Sequence, residues 1–357
     1  MALTVDGERV PTRWVLKKSS DQVASVVSCN SAAECVRIAL INNMPDPALE
    51  DTEMQFFELL ESAAGEIPVS LKLYSLPQVP RSDRGQQRLA SFYHDVDDLW
   101  NNRFDALIMT GTEPRQPNLR NEPYWAALVN VLDWAETNTV STILSCLAAH
   151  AGVLHSDGIG RHPLRDKRFG VFEFGVCDHA LTQGTGGLIK NPHSRWNEVR
   201  EDELTSNGYV ILTKSAEAGA DLFVKKKKKS LFLHFQGHPE YGAGTLLKEY
   251  RRDIRRFLRR ERETYPSMPS GYFAAPASRI LNDFREMALA DPREELILGL
   301  PEAALAEGLQ NGWHTSATCI YRNWLQYTLS RKIETTAFAV MAAVQCPPSE
   351  RERSAAS

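Results

Sequence analysis

The order of hydrophobic and polar positions predicts alternating strands and helices in the first half of the chain. Residues 35–41 form a short apolar run that ends in an Asn-Asn-Met-Pro turn, residues 52–63 have the apolar spacing of a helix, and residues 69–76 alternate as a strand does. The same order returns in three further segments, 104–109, 125–137 and 141–144. This alternation indicates an α/β fold with a mostly parallel sheet flanked by helices.

The second half of the chain has a different pattern. From about residue 170 to residue 237, short β-like runs are separated by Gly, Asn and Asp turns, which predicts a small antiparallel extension. Residues 245–262 predict a helix, which we interpret as a partly neutralised surface helix. We therefore expect a partly disordered lead-in (1–34), a core (35–265), a C-terminal helical section that packs on the core (266–331) and a partly disordered tail (332–357).

Composition narrows the class of protein. The chain has 357 residues, is 43% hydrophobic and 24% charged, and carries a formal net charge of −4, so we expect a globular protein that binds neither nucleic acid nor a membrane. The N-terminal residues lack the pattern of a secretory signal, and we expect a cytoplasmic location. The six cysteines are scattered without metal-ligand spacing, which predicts free thiols and no metal site. The lysines at 225–229 predict a solvated hairpin turn.

Cys146 is the first candidate for chemistry. It follows a predicted strand and precedes an Ala-rich helical segment, so its sulfur would lie at a strand-to-helix turn. Unpaired N–H groups and the helix dipole at such a turn favour the thiolate, which is the nucleophilic form. A lone cysteine in an apolar stretch is, however, more often a small buried hydrophobic residue.

The turn Gly237-His238-Pro239-Glu240 holds the second candidate group. It follows a strand-like run, and a thiol nucleophile needs a base and a carboxylate that orients the imidazole. Taken alone, the His-Pro-Glu segment of this turn is more typical of a surface turn with a solvated histidine and glutamate. The presence of Cys146 at another strand end favours a thiol–imidazole–carboxylate site.

A series of short motifs follows the same order as in a known family. They are INNMP at 41–45, TEMQFFELL at 52–60, FDALIMTG at 104–111, the Cys146 turn, DKRFGVFE at 166–173, PHSRW at 192–196, GHPEY at 237–241 and RNWLQY at 322–327. Through them the chain resembles the homoserine O-succinyltransferase and O-acetyltransferase family. That resemblance implies a flavodoxin-like core similar to class I glutamine amidotransferases.

The resemblance also implies an activity. An acyl group, succinyl or acetyl, would pass from acyl-CoA to Cys146 and then to the hydroxyl of L-homoserine in a ping-pong reaction of methionine biosynthesis. His238 would be the general base and Glu240 its orienting carboxylate. The enzyme would need no bound cofactor beyond acyl-CoA as co-substrate, and its relatives suggest a homodimer.

The resemblance assigns substrate-binding roles to further residues. Ser194 would contact substrate, Arg252 would bind the carboxylate of the amino acid with its bidentate guanidinium, and Lys167 would lie near the acyl-donor pocket. Arg115 stands where the family tends to carry a Gly or Glu that separates succinyl from acetyl users. An arginine there would attract a dicarboxylic acyl group, or would point to solvent.

The sequence departs from the family pattern after the Met-Pro turn. Asp46-Pro47 replaces the usual pair of lysines, and Pro47 has no N–H to lend to an oxyanion, so that Asp46 or Ala48 would have to supply it. Residues 274–312 are divergent, and the acceptor could also be serine or a related hydroxy amino acid. Two other classes stay open, a glutamine amidotransferase-like amidase and a non-catalytic binding protein.

Overall fold

The computed structural model describes residues 3–5, 11, 13–15 and 35–345, with side chains as far as residue 337. The strands in chain order are β1 (Leu3–Val5), β2 (Val36–Ile41), β3 (Val69–Tyr74), β4 (Ala106–Met109), β5 (Ser141–Ser145), β6 (His162–Val176), β7 (Leu188–Glu198), β8 (Val210–Ile211), β9 (Thr213–Ser215), β10 (Gly219–Ala220), β11 (Leu222–Lys227) and β12 (Ser230–Phe235). The helices are α1 (Asp46–Ala64), α2 (Asp83–Phe92), α3 (Val96–Asn101), α4 (Trp125–Asn138), α5 (Leu147–Asp157), α6 (Glu201–Ser206), α7 (Thr245–Leu258), α8 (Ala275–Ala290), α9 (Glu302–Ala306) and α10 (His314–Gln345).

A large, mostly parallel sheet forms the centre of the fold. Its order in the described residues is β1-β3-β2-β4-β5-β12-β11-β8, in which neighbours from β1 to β12 run parallel and the last three strands pair antiparallel. A second, antiparallel sheet has the order β10-β9-β6-β7. The predicted α/β class is therefore confirmed, together with its antiparallel extension and a C-terminal helical section.

Both faces of the large sheet are buried because successive side chains of its strands point to opposite sides. On β2 and β4, Leu40 and Ile108 pack in one apolar cluster, while Ala39 and Leu107 pack in the other. The first cluster includes residues of α1 and α10, and the second includes residues of α4 and α5. Burying each large aliphatic side chain stabilises the fold by roughly 1.5–3 kcal/mol.

Three expectations about the ends of elements differ from the structure. β12, which belonged to the expected antiparallel extension, instead pairs parallel with β5 in the main sheet. Leu3–Val5, in the expected lead-in, adds a parallel strand beside β3. The last helix continues from His314 to Gln345, past the boundary placed at residue 331. The other residues of the expected lead-in up to 34 and those after 345 lie outside the described residues, except for residues 11 and 13–15.

The C-terminal helical section contacts the core at several places, including Ser141 and Gly170. The indole Nε1 of Trp324 on α10 donates to Ser141 Oγ at 2.9 Å. The backbone of Ser270 pairs with that of Gly170, where a Cβ would lie 2.3 Å from the Ser270 carbonyl oxygen. Because an added methyl group has no room there, position 170 requires glycine. Within the described ranges, no helix is both long enough and apolar enough to cross a bilayer.

Candidate active site

The carboxyl ends of three neighbouring parallel strands meet at one edge of the main sheet. Met44 and Pro45 follow β2, Gly111 follows β4 and Cys146 follows β5, and all four residues line a cavity of about 690 Å³. Ligand sites of open α/β sheets lie at this edge because loops, rather than helices, cover the strand ends there. The parallel pairing of these strands therefore brings the residues that follow them together at one edge.

Cys146 lies at a sharp turn between β5 and α5. Its backbone has φ 52° and ψ −112°, a region that L-residues rarely adopt, and its N–H donates to the Phe235 carbonyl at 2.7 Å. The backbone at Gly111 packs directly against this turn, because a Cβ added to Gly111 would lie only 2.8 Å from the nitrogen of Leu147. The strained backbone turns the Cys146 side chain into the cavity at the start of a helix, as predicted.

His238 and Glu240 face Cys146 from the end of β12. Nδ1 of His238 lies 2.9 Å from Oε1 of Glu240, and the ring of Tyr241 stacks on the imidazole with centroids 4.2 Å apart. Since Nδ1 is occupied by the carboxylate, Nε2 is the nitrogen that can hydrogen-bond the Cys146 thiol. Burial lowers the pKa of His238, but the charge and hydrogen bonds of Cys146 and Glu240 outweigh it and hold that pKa well above its ordinary value.

Two hydrogen bonds hold the backbone N–H groups of Gly237 and His238. The N–H of Gly237 donates to Oδ1 of Asp221 at 2.8 Å, and the N–H of His238 donates to the Pro192 carbonyl at 2.8 Å. A Cβ on Gly237 would lie within 3 Å of Asn191, His193 and Asp221. Burial alone would raise the pKa of Asp221, yet hydrogen bonds from His193, Gly237 and Asn191 hold it below its ordinary value. An ionised carboxylate therefore positions the turn.

A second polar cluster lies across the cavity around the carboxylate of Glu249. Ser194 Oγ donates to its Oε2, and Tyr241 donates its phenol hydrogen to Oε1 at 2.7 Å. The ammonium of Lys167 lies 3.6 Å from the same carboxylate and 3.0 Å from that of Asp253. Tyr241 thus connects the two clusters, because its ring stacks on His238 and its hydroxyl binds Glu249.

Arg252 completes this second cluster from helix α7. Its guanidinium lies 3.5 Å from Glu249 and 3.2 Å from Asp253, and 45% of its side chain is exposed. Only 14% of the Glu249 side chain and 7% of the Asp253 side chain are exposed. The interpretation of this helix as a partly neutralised surface helix is therefore wrong about the exposure of these acidic positions, although they do neutralise Arg252, because one charged face of the helix lies against the cavity.

The structure does not bring Arg115 into the cavity. Its side chain is exposed, and its backbone N–H donates to Glu122 Oε1 at 2.6 Å, which directs the loop after β4 along the surface. The N–H of Ala48, one of the two considered for an oxyanion, instead donates to the Pro45 carbonyl at 2.8 Å. Arg161, which the sequence analysis did not select, lines the cavity.

Within the described residues, the fold and the site define an α/β enzyme with a thiol and an imidazole in one cavity and a buried carboxylate behind the imidazole. A profile of the family described as homoserine O-succinyltransferase matches residues 7–335. The homoserine O-succinyltransferase of Rhodopseudomonas palustris is 47% identical over 297 residues, which are 83% of this chain and 89% of that relative. That of Bradyrhizobium japonicum is 45% identical over 292 residues, 81% of this chain and 89% of the relative.

These matches identify the chain as a member of the homoserine O-succinyltransferase family, and hence as an acyltransferase. Among solved structures, a glutamine amidotransferase from Thermotoga maritima is similar with a TM-score of 0.44 and 9% identity, over 82% of this chain and 98% of that one. A TM-score of this size is too low to support an argument about activity.

Proposed function

We propose that this enzyme transfers an acyl group from acyl-CoA to the hydroxyl of L-homoserine, in methionine biosynthesis, through an acyl-thioester on Cys146. One observation carries the proposal: Cys146 and His238, whose imidazole is bound by Glu240, share a cavity with the separate Glu249–Arg252 cluster. The names of the relatives, both homoserine O-succinyltransferases, support homoserine as the acceptor and favour succinyl over acetyl as the acyl group.

The first half-reaction uses the raised pKa of His238. The imidazolium and the Cys146 thiolate form the reactive pair, and the thiolate attacks the thioester carbonyl of acyl-CoA. A bond forms between Sγ and the carbonyl carbon, the bond from that carbon to the sulfur of CoA breaks, and CoA leaves with the proton of His238. The N–H groups at the start of α5, which begins at Leu147, suit the negative oxygen of the intermediate.

The second half-reaction returns the site to its starting state. Neutral His238 takes the proton from the hydroxyl of the acceptor, and the oxygen attacks the acyl-thioester. The bond from the carbonyl carbon to Sγ breaks, which leaves the thiolate beside an imidazolium again. Glu240 keeps Nδ1 protonated throughout, so that Nε2 is the nitrogen that exchanges the proton.

The second cluster suits an amino-acid acceptor because it offers both signs of charge. The partly exposed guanidinium of Arg252 would bind the α-carboxylate, and the carboxylate of Glu249 would bind the α-ammonium. Ser194 and Lys167 contact Glu249 and complete this wall. We further propose that the enzyme needs no bound cofactor and works as a homodimer in the cytoplasm.

Mass spectrometry of the intact protein tests the proposal. The purified enzyme is mixed with succinyl-CoA or acetyl-CoA without acceptor, beside a Cys146→Ala variant and a Cys177→Ala control, since Cys177 is an exposed free thiol. We expect an adduct of the acyl mass that is absent only from Cys146→Ala and that discharges when homoserine is added. If serine but not homoserine removed the acyl adduct, serine would be the acceptor. Release of ammonia from glutamine without any adduct would favour an amidase.

A further inference from the structure

Six lysine and arginine side chains lie in the described wall of the active-site cavity, and most of them are already paired. Lys167 and Arg252 bind the carboxylates of Glu249 and Asp253. Arg256 binds Glu113 through both terminal nitrogens, at 3.2 and 3.3 Å. These cations are neutralised by the protein, which lowers their attraction for a further anion.

Arg195 and Arg161 line the same cavity as Cys146, and negative charge on Cys146 raises the pKa of each arginine. The guanidinium of Arg195 is buried and is occupied by protein acceptors. It donates to the carbonyl oxygens of Asn197 at 2.8 Å and Ala218 at 2.6 Å, and its Nε donates to His193. Little of the Arg195 guanidinium is therefore available to a ligand.

Arg161 is in a different position. One terminal nitrogen donates to the carbonyl oxygens of Gln116 and Pro117, both at 3.1 Å, and the guanidinium makes no ion pair with any residue that the structure describes. It is half-buried in the cavity wall, and burial is the main reason that its pKa lies below its ordinary value. The charge of Glu122 raises the pKa of Arg161, but its carboxylate binds the N–H groups of Arg115 and Gln116 and makes no ion pair with the guanidinium. A bound anion that contacts the guanidinium directly would therefore stabilise this partly desolvated cation further.

The surroundings of Arg161 also contain an unused donor. The hydroxyl of Tyr124 is buried and makes no hydrogen bond within the described part of the chain, and its charge state influences Arg161. Buried hydroxyl groups are normally hydrogen-bonded. Tyr124 does not itself line the cavity, so the guanidinium of Arg161 is the group there that can bind a carboxylate, whose two oxygens accept several hydrogen bonds.

We propose that Arg161 binds the distal carboxylate of a dicarboxylic acyl group, such as succinyl, while that group is carried on Cys146. This assignment rests on the proposed transfer through Cys146 and adds the residue that selects the donor. The two methylene groups of succinyl separate the reacting carbonyl from a carboxylate, and the planar guanidinium can bind that carboxylate through two nitrogens. Arg115, which the sequence favoured for this role, lies outside the cavity wall.

Donor preference tests the assignment. The value of kcat/KM is measured with succinyl-CoA, butyryl-CoA and acetyl-CoA, since butyryl has the length of succinyl but ends in a methyl group. For Arg161→Gln we expect a roughly 10- to 100-fold loss with succinyl-CoA, the range that a hydrogen bond to a charged group gives, and little change with the two uncharged donors. Arg165→Gln, an exposed arginine on β6, is the matched control and should retain the wild-type ratio of donors.

Three outcomes overturn the assignment, and a fourth separates it from the proposed function. An equal loss with every donor would mean that Arg161 only holds the loop at Gln116 and Pro117. Wild-type preference in Arg161→Gln would remove any role in selection, and a loss of preference in Arg115→Gln alone would restore the sequence-based expectation. Inactivity of the wild-type enzyme with all donors, and no adduct on Cys146, would instead contradict the proposed function.

Discussion

Oε1 of Glu240 lies 2.9 Å from Nδ1 of His238, although only Pro239 separates the two residues in the chain. The proline restricts the backbone between them, so the turn itself brings the carboxylate to the imidazole. The hydroxyl of Ser145, which precedes Cys146, also donates to Oε1 at 3.4 Å. One carboxylate therefore connects the turn after β12 to the turn after β5.

Glu240→Gln should lower kcat by about 10²- to 10⁴-fold, in the range known for the orienting carboxylate of other catalytic triads. An amide at this position can present its NH₂ group to Nδ1 and so favour the wrong tautomer of His238. Steady-state kinetics with a saturating acyl donor measure the effect, and circular dichroism checks that the fold is kept. A variant with wild-type kcat would show that Glu240 does not orient the base.

Cys146→Ala should lower the pKa of His238. In the wild-type protein burial is the largest influence and lowers this pKa, while Cys146 and Glu240 raise it by more. Removing the thiol takes away one of the raising influences, and burial then weighs more heavily. NMR titration of the imidazole measures the shift, and an unchanged value would mean that the thiol is not its partner.

The raised pKa of His238 also determines how the stability of the wild-type protein changes with pH. Protonated His238 gains its partners only in the folded state, so its contribution is fully present below the ordinary histidine pKa of about 6.5. The contribution is lost as the pH rises through the raised pKa of the folded state. Denaturant unfolding at a series of alkaline pH values should therefore show a steeper loss of stability for the wild-type protein than for His238→Gln.

Gly237→Ala should destabilise the protein by about 1–3 kcal/mol and lower kcat as well. The added methyl group would lie 2.5 Å from Asn191 and 2.6 Å from His193, in a buried polar network that cannot move without shifting His238. Gly160→Ala is the control, because a Cβ there meets no heavy atom within 4 Å. Urea unfolding and steady-state kinetics compare the two variants, and equal behaviour would contradict the tight packing around Gly237.

His234 should make the protein less stable in mild acid. It is fully buried on β12, it stacks on Phe223 with centroids 4.9 Å apart, and burial lowers its pKa to about 3. Between that value and about 6.5 the unfolded chain binds a proton that the folded protein does not, so stability falls as the pH is lowered.

The expected loss from this histidine is about 2 kcal/mol between pH 7 and pH 5. His234→Leu should reduce the slope of unfolding free energy against pH over that range, whatever its effect on absolute stability. Urea unfolding at several pH values measures the slope. His150 and His193, whose pKa values burial lowers to about 3 and about 4, will keep part of the slope in the variant.

Local patterns were sufficient for the order of the central elements. The strand at 36–41 and the helices that start at Asp46 and Trp125 were predicted to within a few residues at most ends, because the burial of each depends on its own apolar spacing. The start of α1 was missed by six residues. Asp46-Pro47 there was interpreted as part of a turn, whereas Pro47 occupies the first turn of the helix, where its missing N–H is not needed.

The acidic residues of helix α7 show where the sequence was insufficient. Glu249 and Asp253 lie among many arginines, and that charge pattern is typical of a solvated face. Their burial depends on the cavity wall built by β6 and β7, which pair with each other far away in the chain. A signal was nevertheless present, since Glu249, Arg252 and Asp253 are spaced to share one helix face.

By itself, the sequence determined the alternation of strands and helices and the chemical groups available at the strand ends, Cys146, His238 and Glu240 among them. Both depend on residues close together in the chain, whose periodicity and turn chemistry are local properties. Only the tertiary structure decided that Arg161 and not Arg115 enters the cavity, and that Glu249 faces inward. Those outcomes depend on how loops and helices from distant parts of the chain pack, and the energies of such contacts are absent from any local pattern.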